Sequence, residues 1–99
     1  MNLALSEVLN LARKWQEAAT RVRGTLMLDT QDCVTQFSGR LTVHGESLTV
    51  VNEAAGCETS IPLRSDMTFA YAEGMLRING SGWVCTLYEE KVKNLVRLL

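Results

Sequence analysis

Histidine and cysteine are the side chains of this chain best suited to nucleophilic or acid–base chemistry. His44 is the only histidine, and the three cysteines are Cys33, Cys57 and Cys85. A catalytic histidine needs a nucleophile and an acidic partner, and a nucleophilic cysteine needs a nearby base or helix start that lowers its pKa. His44 falls at the edge of a predicted hairpin turn beside Glu46, where a surface role explains it. We therefore predict no catalytic residues.

Metal and cofactor sites have recognisable spacings, and the sequence shows none of them. The cysteines are widely spaced, with no CxxC pair and no histidine cluster, which argues against zinc. The run Gly80-Ser81-Gly82 precedes a strand and lacks the lysine of a phosphate-binding loop. We expect no metal and no cofactor. The cysteines are expected to be reduced, structural thiols of a cytoplasmic protein, with Cys33 and Cys85 on apolar faces.

Length and charge restrict the partners. The chain has 99 residues, of which 46% are hydrophobic and 21% charged, and its net charge is −1. These values fit one globular domain over residues 1–99. A near-neutral charge and the lack of an aromatic platform disfavour strong nucleic-acid binding. The apolar opening has no basic leader and no run approaches about 18 apolar residues, so we expect neither a signal peptide nor a membrane span.

The first segment has the periodicity of an amphipathic helix. Over residues 3–22, apolar side chains recur at spacings of three and four, which predicts one buried helix face. Gly24 follows the last apolar position and suits the helix exit. Basic side chains gather on the opposite face against Glu17, and we interpret them as a solvated surface: Arg13, Lys14, Arg21 and Arg23.

The period then changes to two, which predicts seven antiparallel strands. They are placed at 25–29, 33–44, 47–52, 57–63, 67–72, 75–79 and 83–88. Gly39, inside the second strand, predicts a bend or bulge, and Pro62 predicts that the fourth strand is an edge or is bulged. A C-terminal helix is expected from the apolar stripe Val92, Leu95, Val96 and Leu99.

Turn residues predict how these strands pair. A turn at Gly45-Glu46 sets Val43 opposite Leu48 and Leu41 opposite Val50. A turn at Glu73-Gly74 sets Tyr71 opposite Leu76 and Phe69 opposite Ile78. A third turn at 79–82 places Ile78 near Trp83 and Leu76 near Cys85, which predicts a buried Trp83. Each register joins apolar residues, so local and longer-range signals agree.

The predicted order of elements from Arg40 to Leu99 resembles the half-open barrel of the pleckstrin-homology type. The likeness lies in Ile61-Pro62-Leu63, the Phe69–Ile78 hairpin and the terminal helix, and it is one of topology. Lipid-binding members of that fold use basic residues in the first hairpin loop, whereas Asp29-Thr30-Gln31-Asp32 is acidic, so lipid binding is not expected. The alternative α+β architecture is a curved antiparallel sheet wrapped around the first helix, as in cystatin-like folds.

Without a catalytic constellation, the leading hypothesis is a non-catalytic module that binds another protein or itself. The apolar arc of the first helix is wide for one small sheet, so we expect surplus apolar surface and a homodimer. The expected interaction surface comprises Leu3, Leu5, Leu9, Arg13 and Lys14.

The alternative hypothesis is a small-molecule binder or minor enzyme that uses the concave face of the sheet. Its pocket would be lined by Phe69, Tyr71, Trp83 and Cys85, with Tyr71 and Cys85 as the polar groups. A pocket with this lining would favour the alternative, and a closed, filled core would favour the interaction module.

Overall fold

The computed structural model describes residues 2–28 and 34–90 of the chain. These residues form one helix and eight antiparallel strands in one open sheet, so the α+β class is confirmed. The elements are β1 (Asn2–Leu3), α1 (Leu5–Glu17), β2 (Arg21–Leu28), β3 (Val34–His44), β4 (Ser47–Asn52), β5 (Cys57–Pro62), β6 (Thr68–Ala72), β7 (Met75–Asn79) and β8 (Trp83–Glu89). Cys33 and the C-terminal helix predicted from Val92 to Leu99 lie outside the described residues.

The helix α1 is shorter than its sequence pattern predicts. It starts after Ala4, whose backbone N–H donates to the Glu7 carboxylate over 2.7 Å. The apolar face of the helix is buried. It ends before Ala19, which has a φ of +54°, a left-handed value incompatible with continuing the helix. The predicted span 3–22 was wrong at both ends, because Leu3 belongs to β1 and Val22 to β2.

Strand β2 is the strand that joins the two halves of the sheet. The order is β1-β6-β7-β8-β2-β3-β4-β5, so two meanders meet where β2 pairs with β8. Val22 and Gly24 are buried on the inner face of β2, and Arg21 and Arg23 are exposed on the outer face. The basic helix face expected from the sequence therefore reduces to Arg13 and Lys14.

Two of the three predicted hairpin registers are confirmed. Val43 lies opposite Leu48 and Tyr71 lies opposite Leu76. The third register is shifted by two residues, because Ile78 faces Cys85 and Leu76 faces Leu87. Gly80 N–H donates to the Trp83 carbonyl over 2.9 Å, which closes a turn with two residues between them. A shift of two keeps the same side chains on the inner face, so apolar alternation could not reveal it.

The core lies between the inner face of the sheet and α1. From α1 it takes Val8, Leu9, Ala12 and Trp15, and the rest comes from the sheet and the residue after β5: Val22, Leu41, Leu48, Val50, Ile61, Leu63, Phe69, Leu76, Ile78, Cys85 and Leu87. Trp83 packs against this core but is only partly buried, so the expectation of a buried Trp83 was wrong. The pleckstrin-homology likeness stays a prediction. No helix of the described ranges is long and apolar enough to cross a membrane.

Candidate functional site

Strand β5 forms one end of the sheet in the part of the chain that the structure describes. Just past β5, Leu63 N–H donates to the Glu46 carbonyl over 2.8 Å. The backbone N–H and C=O groups of alternate residues point to the same side of an antiparallel strand. The N–H and C=O groups of Ile61 and Thr59 therefore point toward β4, as the Leu63 N–H does. The backbone groups of Glu58, Ser60 and Pro62 consequently point away from the sheet.

Pro62 decides how many donors this edge presents. It has no backbone N–H, and it stands at a position whose amide would face outward, where proline costs no ladder hydrogen bond. The expectation that Pro62 marks an edge strand is confirmed. Along the outward side of β5, Glu58 and Ser60 each offer an N–H, and Glu58, Ser60 and Pro62 offer carbonyl oxygens.

An apolar groove runs beside this edge on the inner face of the sheet. Its volume is about 160 Å³. It is lined by Leu26, Leu28, Phe37, Thr59, Ser60, Ile61, Pro62 and Trp83. A cavity of about 150 Å³ lined by aliphatic and aromatic side chains takes a benzene-sized group, so this groove has room for one large apolar side chain.

Glu58 adds a charge on the other side of the same edge. Its cross-strand partner is Val51, and Arg40, the next residue across the sheet, is paired with Glu53 at 3.0 Å. The Glu58 side chain is exposed and forms no ion pair with any described residue. Edge amides, one side of an apolar groove and a carboxylate are thus all provided by one strand of six residues.

The four residues of the sequence-predicted pocket lie in three different environments. Phe69 and Cys85 are buried in the core, 4% and 0% exposed. Tyr71 packs on Trp15, with ring centroids 6.4 Å apart. Trp83 lines the groove beside β5 and covers Gly80, where a Cβ would lie 2.1 Å from the indole. A pocket built from all four side chains stays a prediction.

The predicted interaction surface on the first helix divides into two parts. Leu9 is buried, and Leu3 and Leu5 are partly buried against the core. Arg13 and Lys14 are exposed. The apolar members therefore contribute to folding, which weakens the argument that this helix carries surplus apolar surface. A dimer through these five residues stays a prediction.

The candidate nucleophile Cys85 is buried, whereas the candidate base His44 is exposed. Burial raises the pKa of Cys85 to about 12, so its thiol is neutral at physiological pH and is no nucleophile. Because the folded pKa lies above the ordinary value of 9.0, stability tied to this thiol is complete below about pH 9 and falls as the pH rises toward 12. His44 Nε2 lies 3.1 Å from the Thr42 hydroxyl. The described residues contain no metal-binding cluster.

Cys57 is exposed, which corrects the expectation that the cysteines are all structural thiols. It opens β5, with its Sγ 3.7 Å from the Ala55 carbonyl oxygen. In a Cys33→Ser protein, we expect iodoacetamide to modify Cys57 quickly and Cys85 only after unfolding, since thiolate and access are both required. Mass spectrometry of timed samples measures both rates, and Cys57→Ser should remove the fast phase. Rapid native labelling of Cys85 would contradict this burial.

A second hollow on the outer face is larger and polar. It measures about 330 Å³ and is lined by Arg23, Gly24, Thr25, Gln36, Phe37, Ser38 and Tyr88. Its cation, Arg23, lies 3.7 Å from Glu90, so its charge is partly balanced within the chain. It offers no apolar lining comparable with that of the groove.

The sequence signalled the edge through Pro62 but not the groove beside it. The groove joins residues from β2, β3, β5 and β8, which are brought together by pairings remote in sequence. No protein-family model, no curated protein and no solved structure matches this chain.

Proposed function

We propose that this protein is a non-catalytic interaction module that binds an extended segment of another protein at the β5 edge. The observation that carries the proposal is the outward row of backbone groups at Glu58, Ser60 and Pro62 beside an apolar groove. Addition of a strand to a sheet edge uses this combination, since main-chain hydrogen bonds give affinity and side-chain pockets give specificity. The buried, neutral Cys85 supports a non-catalytic role.

A proline at Ser60 tests the edge directly. Its N–H points away from β4, so Ser60→Pro removes an outward donor without breaking the ladder. A displayed library of random peptides panned against the wild-type protein should yield binders, and Ser60→Pro should lose them. Enrichment is measured by sequencing the retained peptides.

Ser60→Ala is the matched control, because the Ser60 hydroxyl lies 3.2 Å from the Thr49 hydroxyl and both variants lose that contact. Only the proline variant loses the amide, so Ser60→Ala should retain the wild-type peptides. Circular dichroism establishes that both variants fold. As a second readout, N-methylation of an enriched peptide at alternate positions should abolish binding. Failure to enrich any peptide, or equal enrichment by all three proteins, would contradict the proposal.

Self-association belongs to the same class of function, and the cytoplasm is the setting proposed for it. A second copy could add its own β5 across the edge. Sedimentation equilibrium would show this as a mass near twice 11.0 kDa that Ser60→Pro returns to the monomer value. That outcome would retain the interaction module and identify the partner as the chain itself.

A further inference from the structure

We infer that the segment bound at β5 carries one large apolar side chain and one basic side chain separated by an odd number of residue positions. This inference rests on the proposed function and specifies its partner. Three observations lead to it: the volume of the groove, the charge of Glu58, and the opposite faces on which the two lie.

The groove accounts for the apolar residue. Its space of about 160 Å³ is open on one side and lined mainly by aliphatic and aromatic side chains, among them Ile61 of β5, Leu28 and Trp83. A strand added at the β5 edge directs alternate side chains to the inner face. One of them, opposite Ile61 or Thr59, enters this space. Phenylalanine or leucine has the size and the apolar surface that the groove takes.

Glu58 accounts for the basic residue. Its side chain stands on the outer face, since its neighbours Thr59 and Cys57 lie on the same face as the buried Ile61. Opposite charges on directly facing residues of paired strands attract, and Glu58 has no ion-pair partner in the described ranges. A lysine or arginine on the added strand provides the complementary charge.

Parity then connects the two positions. Side chains of a strand alternate between faces, so a residue in the groove and a residue opposite Glu58 are separated by one or three positions, in either strand direction. An even separation would place both on one face and leave either the groove empty or Glu58 unmatched. The site therefore distinguishes peptides in which the apolar and basic residues differ in separation by a single position.

Synthetic octapeptides with blocked ends test the inference. The first probe is Thr-Ser-Thr-Phe-Thr-Ser-Lys-Thr, in which lysine stands three positions after phenylalanine. The second has the same composition and a spacing of two, Thr-Ser-Thr-Phe-Thr-Lys-Ser-Thr. The third replaces phenylalanine of the first by alanine. Titration followed by fluorescence anisotropy gives each dissociation constant.

We expect the first probe to bind tightest. Loss of the apolar side chain should weaken binding at least about tenfold, and the even spacing by about threefold, the size of an exposed ion pair. With Glu58→Gln the difference between the two spacings should vanish, whereas Glu73→Gln, in the β6–β7 turn, should preserve it. Thr59→Phe, which fills the groove from within, should make the phenylalanine and alanine probes equivalent.

The outcomes separate this inference from the proposed function. If binders depend on the Ser60 amide yet ignore phenylalanine and spacing, the inference is overturned and the edge-binding module stands. A dimer formed through β5 would also overturn the inference, because the occupant would then be a second copy. If no peptide depends on the Ser60 amide, the proposed function itself fails.

Discussion

Gly39→Ala is expected to destabilise the protein severely. A Cβ at Gly39 would lie 2.1 Å from the Val51 carbonyl oxygen and 2.6 Å from the Val51 carbonyl carbon, and its φ is +156°, a value that L-residues rarely adopt. Backbone atoms cannot swing aside as a side chain does, so β3 and β4 would have to separate. We expect a loss of about 4 kcal/mol or more, a large share of the stability of a small domain.

Gly45→Ala is the matched control for this prediction. Its φ of +61° is also unfavourable for alanine, but no atom lies within 4 Å of the added Cβ. It should therefore cost only the local conformational penalty of about 1–2 kcal/mol. Urea unfolding of both variants measures the difference. Equal costs at the two glycines would show that the approach of β4 at Gly39 has no energetic weight.

Leu87→Ala is expected to destabilise the protein by about 4 kcal/mol, near the upper end for deleting a buried leucine. Leu87 is fully buried and lies between Leu76 and Gly24 across the sheet. Its Cδ2 is 2.8 Å from the point where a Cβ of Gly24 would be. Because glycine has no side chain to move into the space, we expect much of the cavity to persist.

Met75→Ala serves as the comparison, since Met75 is 46% exposed on the neighbouring strand. We expect it to change the free energy of unfolding by less than about 0.5 kcal/mol, as surface substitutions do. Both variants are compared by the midpoint and slope of urea unfolding. A cost below about 2 kcal/mol for Leu87→Ala would mean that the neighbours refill the space.

Two of the hairpin registers were predictable because their signals are local. Gly45-Glu46 and Glu73-Gly74 lie between alternating apolar residues, and each turn sets its own register. The end of α1 was not predictable in this way. Val22 fits both a helical spacing and a strand alternation, and what decides is its pairing with Gly39 and Glu89, far away in sequence. Long-range pairing overrode the local pattern there.

Gly39 shows the same division. Its position inside a strand predicted an irregular backbone, and what the structure places there is the close approach of β4. For the candidate site, the presence of Pro62 within a predicted strand was enough to indicate an edge. The groove could not be predicted because its lining comes from four strands. The register shift of two residues at Trp83 could not be predicted either, because it leaves the alternation of apolar residues unchanged.

The pairing of β2 with β8 has a consequence for how the chain acquires its structure during synthesis. The ribosome synthesises β2 before β8. More than half of the 99 residues are added between the end of β2 and the start of β8, and during that time the side of β2 that pairs with β8 has no partner. Until then β2 to β5 form a four-stranded meander with an additional unpaired side at β2. Contacts this distant in sequence slow folding and lengthen the exposure of strand edges. We therefore expect nascent chains to be most prone to aggregation before β8 pairs with β2.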